Sequence, residues 1–147
     1  MKKRIQIKQV EPDAYKGMFA LESYLNKGKF SSIHKELIKI RASQINGCAF
    51  CIDMHTKEAL KKGETLQRIF LLNAWNETDL FSEEEKVLLK MTEEVTLIHK
   101  GGLSSDTYNK ALSLFGENYL SQIIMAVVAI NAWNRISIST NKPIPEE

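Results

Sequence analysis

The segment that most constrains the fold is residues 118–138, "NYLSQIIMAVVAINAWNRISI", which is apolar almost all round at its middle. A helix with one solvated face shows an apolar stripe, whereas a helix apolar on every side needs neighbours on every side. This segment is therefore expected to be the central buried helix of a bundle. Its continuous apolar run, 123–130, is far shorter than the ~20 residues that cross a bilayer, so no membrane partner is expected.

The remaining chain punctuates itself into further helices. Residues 13–26 form a first helix that stops near Gly28, and Ser31 or Ser32 caps a second that runs to 45 with Ile33, Leu37, Ile40 and Gln44 at helical spacing. Asn46 and Gly47 break it. A third helix starts at Cys48 and ends at Gly63, after Lys61 and Lys62, and a fourth covers 66–74. Ser82 and Glu85 make a capping box for a fifth, with Val87, Leu88, Met91, Val95 and Ile98 as its apolar stripe and Gly101 and Gly102 as its stop. A sixth spans 105–115 and ends at Gly116. The fold class is all-α, a single-domain bundle of six or seven helices. The expected divisions are an N-terminal arm (1–12), the helical domain (13–140) and a C-terminal tail (141–147). In the arm, Ile5, Ile7 and Val10 alternate like a strand, and a lone strand is expected to pack on a neighbouring subunit. "NAWN" occurs at 73–76 and 131–134, too short to establish a repeat.

Net charge is +2, from 20 basic and 18 acidic residues, which gives no electrostatic case for nucleic acid. The arm lacks the apolar core of a signal peptide, so the chain is expected to be cytoplasmic. In a reducing compartment the two cysteines then carry weight. Both lie in "GCAFCIDMH", residues 47–55, with Cys48 and Cys51 three apart and His55 four further on. On a helix these side chains share one face. The first turn of a helix leaves backbone N–H groups unpaired and carries the positive end of the dipole, which favours a thiolate. One thiol is accordingly expected below the ordinary cysteine pKa, with the imidazole as its proton acceptor. Competing readings are a small buried hydrophobe, a zinc site and a thioredoxin-type motif. Zinc wants a fourth ligand, for which His34 and His99 are the remaining histidines, and the thioredoxin reading lacks its βαβ context.

Glu36, eleven residues, then Cys-x-x-Cys-x-x-x-His resembles the motif of the alkylhydroperoxidase D-like branch of the carboxymuconolactone decarboxylase family. "LLNAWNETDLFSEEEKVLL" is similar to that family's tryptophan, loop and acidic helix start, and "GENYLSQIIMAVVAINAWNRISI" to its closing helix. The resemblance implies an all-helical homotrimer or homohexamer with no cofactor and no metal. It implies that Cys51 attacks a hydrogen or organic peroxide and becomes a sulfenic acid, and that Cys48 resolves it as a Cys48–Cys51 disulfide. His55 and Glu36 would relay protons, and a dithiol or protein reductant would close the cycle. The turn at Asn46 and Gly47 can fold Glu36 back toward the thiols, while Glu22, with no motif assignment, is expected to be inert. Phe50 stands where some members carry a second histidine between the cysteines. The lactone decarboxylases of the family lack the CxxC pair, so decarboxylation is not expected. Rival functions are a disulfide reductase serving a separate peroxidase and a non-catalytic metal-binding or interaction protein.

Overall fold

The computed structural model describes residues 4–145. Its helices are α1 (Ile7–Val10), α2 (Pro12–Lys27), α3 (Ser32–Asn46), α4 (Ala49–Lys61), α5 (Leu66–Leu71), α6 (Glu83–Thr96) and α7 (Ser105–Ser139). Tighter 3-10 turns follow α5 at Leu72–Glu77 and α6 at Ile98–Lys100. The helix starts are fixed by short polar side chains that satisfy the first free N–H groups. Ser31 accepts from the His34 N–H, Thr65 from Arg68 and Ser104 from Thr107. Ser82 and Glu85 complete the reciprocal capping box expected for α6.

α7 packs on α2, α3, α4 and α6, and α3 on α4, α6 and α7. The core is built from Leu37, Ile38 and Ile40 of α3, Leu88, Leu89 and Met91 of α6, and Ile123, Val127 and Ile130 of α7. By length and composition α7 is long and apolar enough to cross a membrane. In the fold its Leu120, Ile123, Ala126, Val127 and Ile130 are buried, as in a core helix.

Several expectations are corrected here. α7 shares the centre with α3, in which every residue from Lys35 to Ile40 is buried, while Val128 and Ile138 of α7 are exposed. The strand-like arm is helical at Ile7–Val10, among the described residues there is no strand, and Arg4 Nη1 donates to the Ser139 carbonyl at 2.8 Å. The arm thus ties onto its own chain; positions 1–3 of the arm and 146–147 of the tail lie outside the described residues. The fourth helix ends at Leu71 and continues as a 3-10 turn. One "NAWN" therefore lies in a 3-10 turn and the other in an α-helix, so the two copies do not share a local structure.

Residues 105–115 and 118–138 meet at Gly116, whose φ of 71° and ψ of 167° break the helical path inside α7. That region is essentially restricted to glycine. A Cβ at Gly116 would meet nothing within 4 Å, so the cost of adding one is a backbone cost alone. Gly116→Ala should destabilise by about 1–3 kcal/mol. Gly17→Ala, at an open position inside α2, should stabilise by up to about 1 kcal/mol. Urea unfolding of the two variants checks the contrast.

Candidate active site

α3 and α4 join through one tight reversal. Gly47 sits in the left-handed region at φ 69°, and the N–H groups of Gly47 and Cys48 donate to the carbonyls of Gln44 and Ser43 at 3.3 and 3.0 Å. Cys48 is then the N-cap residue of α4 and Cys51 lies in its first turn. His55 follows one turn later on the same face, and Lys62 forms the C-cap.

From the middle of α3, Glu36 reaches both ends of that face. Its Oε2 lies 2.8 Å from His55 Nδ1, and its Oε1 accepts from Lys62 Nζ at 2.5 Å. Burial pushes the Glu36 carboxyl up, but the hydrogen bonds and charges of His55 and Lys62 outweigh it and hold its pKa down at about 2. A carboxylate on Nδ1 favours the proton there, which leaves Nε2 as the basic nitrogen.

Both cysteines are free thiols with 1% exposure. Burial pushes the Cys51 thiol up, and the neighbouring Cys48 adds to the rise, to a pKa of about 11. Side-chain hydrogen bonds with Asn134 and Ser137 of α7 act in the opposite direction. Asn134 is itself fixed: its Nδ2 donates to Ser43 Oγ at 2.9 Å and its Oδ1 accepts from Asn46 at 2.8 Å. A cavity of about 340 Å³ borders Cys51, His55 and Glu36 but not Cys48. Its lining also holds the ring cluster of Tyr15, Phe19 and Trp133, with centroids 5.3 to 5.9 Å apart.

The profile of the carboxymuconolactone decarboxylase family matches residues 12–94, more than half of the chain. The chain belongs to that family. It is 42% identical over 139 residues to the uncharacterized protein YdfG of Bacillus subtilis, covering 95% of each chain. A crystal structure from Agrobacterium tumefaciens, of a protein of unknown function described as a candidate antioxidant defence protein AhpD, is 38% identical. It superposes with a TM-score of 0.95 over 99% of this chain and 100% of that one. An uncharacterized peroxidase-related protein from Ralstonia eutropha, described as an alkylhydroperoxidase AhpD core, shares the fold. Its TM-score is 0.82 at 13% identity, over 95% of this chain and 74% of that one.

Within this family member, the structure gathers Glu36, Cys48, Cys51 and His55 into one cluster and leaves the other two histidines elsewhere. His34 is hydrogen-bonded to the Tyr119 hydroxyl at 2.7 Å, and His99 lies in the exposed turn after α6. Three expectations change. The Glu36 carboxylate meets the imidazole rather than the thiols, and His55 and Cys51 border the same cavity. In the first turn of α4 the Cys51 pKa is raised rather than lowered, because burial and the neighbouring Cys48 outweigh the hydrogen bonds of Asn134 and Ser137. Glu22 is not inert: its carboxylate accepts from Lys39 at 2.8 Å and from the Trp133 indole at 3.1 Å on the cavity wall. Two residues escaped the sequence reading. Lys62 was signalled by its spacing, seven residues after His55 and so on the same face. Asn134 was signalled by being polar in the middle of an apolar helix.

Because Glu36 is buried and doubly bonded, Glu36→Gln should cost stability as well as activity, by about 2 kcal/mol at neutral pH. The folded pKa of about 2 lies below the ordinary 4.5, so this stabilisation is fully present above about pH 4.5 and fades as pH falls toward 2. Urea unfolding of parent and Glu36→Gln between pH 2 and 7 should show two curves that converge on acidification.

Proposed function

We propose that this protein is a cysteine-based peroxidase of the alkylhydroperoxidase D type, with Cys51 as the attacking thiol. The observation that carries this reading is the order Glu36, His55, Cys51 at the edge of a cavity, with a second thiol at Cys48 behind the first. A thiol whose pKa stands at about 11 needs a proton acceptor at neutral pH, and His55 shares its helix face.

In the proposed cycle, His55 takes the Cys51 proton and the thiolate attacks the distal oxygen of the peroxide. The O–O bond breaks, an S–O bond forms, and the proton from His55 leaves with the alcohol. Cys51 is then a sulfenic acid, oxidised by two electrons. The Cys48 sulfur displaces its hydroxyl as water and closes a Cys48–Cys51 disulfide, which an external dithiol reduces by exchange. Asn134 and Ser137 hydrogen-bond the Cys51 sulfur and favour its anionic form. The carboxylate of Glu36 holds the imidazole and stabilises it when charged. The cycle calls for no metal, haem or flavin. We extend the proposal to a homo-oligomer working in the cytoplasm with a dithiol or protein reductant. The cavity that borders Cys51 admits a small peroxide while both sulfurs are buried, so the oxidation step needs no folded partner at the dithiol. That favours peroxide over the disulfide-reductase reading.

The test is stopped-flow oxidation of the reduced protein by hydrogen peroxide and several organic hydroperoxides, with the product mapped by mass spectrometry. Cys48→Ser should accumulate a sulfenic acid on Cys51 that a dimedone-type probe labels. Cys51→Ser should abolish consumption, and a parent rate in that variant would reverse the assignment. His55→Ala should slow the reaction on the order of 10²-fold at pH 7. The deficit should narrow as pH rises toward the thiol pKa of about 11, because hydroxide then replaces the missing base.

A further inference from the structure

The cavity beside Cys51 is lined by four lysines, and they do not have the same electrostatic surroundings. Lys39 is neutralised by Glu22 at 2.8 Å and Lys62 by Glu36 at 2.5 Å. Lys142 lies over the Phe50 ring, 4.1 Å from its centroid. Lys35 is different. It is 8% exposed, yet among the described residues its ammonium bonds only neutral oxygens: Asn26 Oδ1 at 2.6 Å and the Leu25 carbonyl at 3.4 Å. Burial, and then the charges of Lys39 and Lys62, pull its pKa below the ordinary lysine range. The Glu36 and Glu22 charges act in the opposite direction, but neither carboxylate bonds the Lys35 ammonium, and a buried cation whose direct partners are all neutral is relieved by an anion beside it.

The rest of the cavity restricts what that anion can belong to. The ring cluster of Tyr15, Phe19 and Trp133 supplies an apolar surface, and a volume of about 340 Å³ is well beyond what hydrogen peroxide fills. Ligand sites of this kind combine apolar walls with a few polar groups that fix orientation.

We propose that this cavity binds a largely apolar molecule bearing a carboxylate, with the aromatic cluster holding its body and the Lys35 ammonium its anionic end. Resting on the peroxidase reading, the substrate class becomes organic hydroperoxides that carry a carboxylate. Lys35 is then a specificity residue that makes no contact with the reacting sulfur chemistry.

Two measurements test this separately from the peroxidase reading. The first is binding of 2-naphthoate and its neutral methyl ester to the reduced protein, followed by tryptophan fluorescence and by calorimetry. The acid should bind at least tenfold more tightly than the ester. Lys35→Met should bring that ratio to about one, and Lys35→Arg should retain it. Asn26→Asp, which places a carboxylate against the Lys35 ammonium without removing it, should collapse the ratio as Lys35→Met does, and it serves if Lys35→Met fails to fold. Equal binding of acid and ester to the parent overturns the proposal, as does a preference that survives both Lys35→Met and Asn26→Asp. The second measurement is the stopped-flow rate with a carboxylated hydroperoxide and with its methyl ester, which should show the same ratio and the same loss. If the acid is bound selectively but neither hydroperoxide is consumed, the anion site stands and the peroxidase reading falls.

Discussion

The site is organised by one buried carboxylate. Taking Glu36 out of water is unfavourable by several kcal/mol unless both oxygens find partners. It finds them two turns apart on one helix, His55 at the middle of α4 and Lys62 at its C-cap. That pair of contacts fixes the rotation and the slide of α4 against α3. Once α4 is fixed, so is the reversal at Gly47, and with it the depth at which the two cysteines lie. Loss of either partner leaves charge in a place that water does not reach, so the chemistry of the site and the packing of the two helices cannot be varied independently.

The burial that positions the thiols also makes them reluctant to ionise. A helix N-terminus contributes a fraction of a charge that falls off within a turn, whereas desolvation acts on the whole thiolate. At Cys51 desolvation wins. Asn134 moderates it from α7, and Asn46, Ser43 and Asn131 hold that amide through a chain of side-chain hydrogen bonds across the α3–α7 interface. In the proposed cycle such a sulfur depends on a base when a substrate arrives, which gives His55 a larger part than helix position alone would assign it.

The sequence made the helices legible where their ends are chemical: Ser31 and Ser82 at starts, Gly47 and Gly116 at breaks. It also placed the dithiol, the histidine and the glutamate, because their spacing is a local property of one turn and the motif names the partner. It failed where tertiary packing overrides local pattern. The alternation of Ile5, Ile7 and Val10 looked like a strand because four residues of helix have too little periodicity to declare themselves. α3 looked like an ordinary amphipathic helix because Lys35, Glu36 and Lys39 read as a solvated face. They are buried because they face one another and the cavity, and no single sequence shows that Glu22 on α2 will neutralise Lys39 on α3. Hydrophobic periodicity detects burial of apolar residues only, and a polar cavity inverts its signal.

Phe50 sits between the two cysteines and puts an aromatic ring on the cavity wall. The ring cannot carry a proton, but it offers a π-face, and Lys142 from the segment after α7 lies against it. That contact ties the segment after α7 to the helix that carries the dithiol. The Lys142 N–H donates to the Ser137 carbonyl at 3.0 Å, and Ser137 is one of the two α7 residues hydrogen-bonded to Cys51. The closing segment, the Phe50 ring and the sulfur are therefore coupled through adjacent groups. In the proposed cycle, with no imidazole at position 50, His55 and the carboxylate that holds it are left to carry the Cys51 proton.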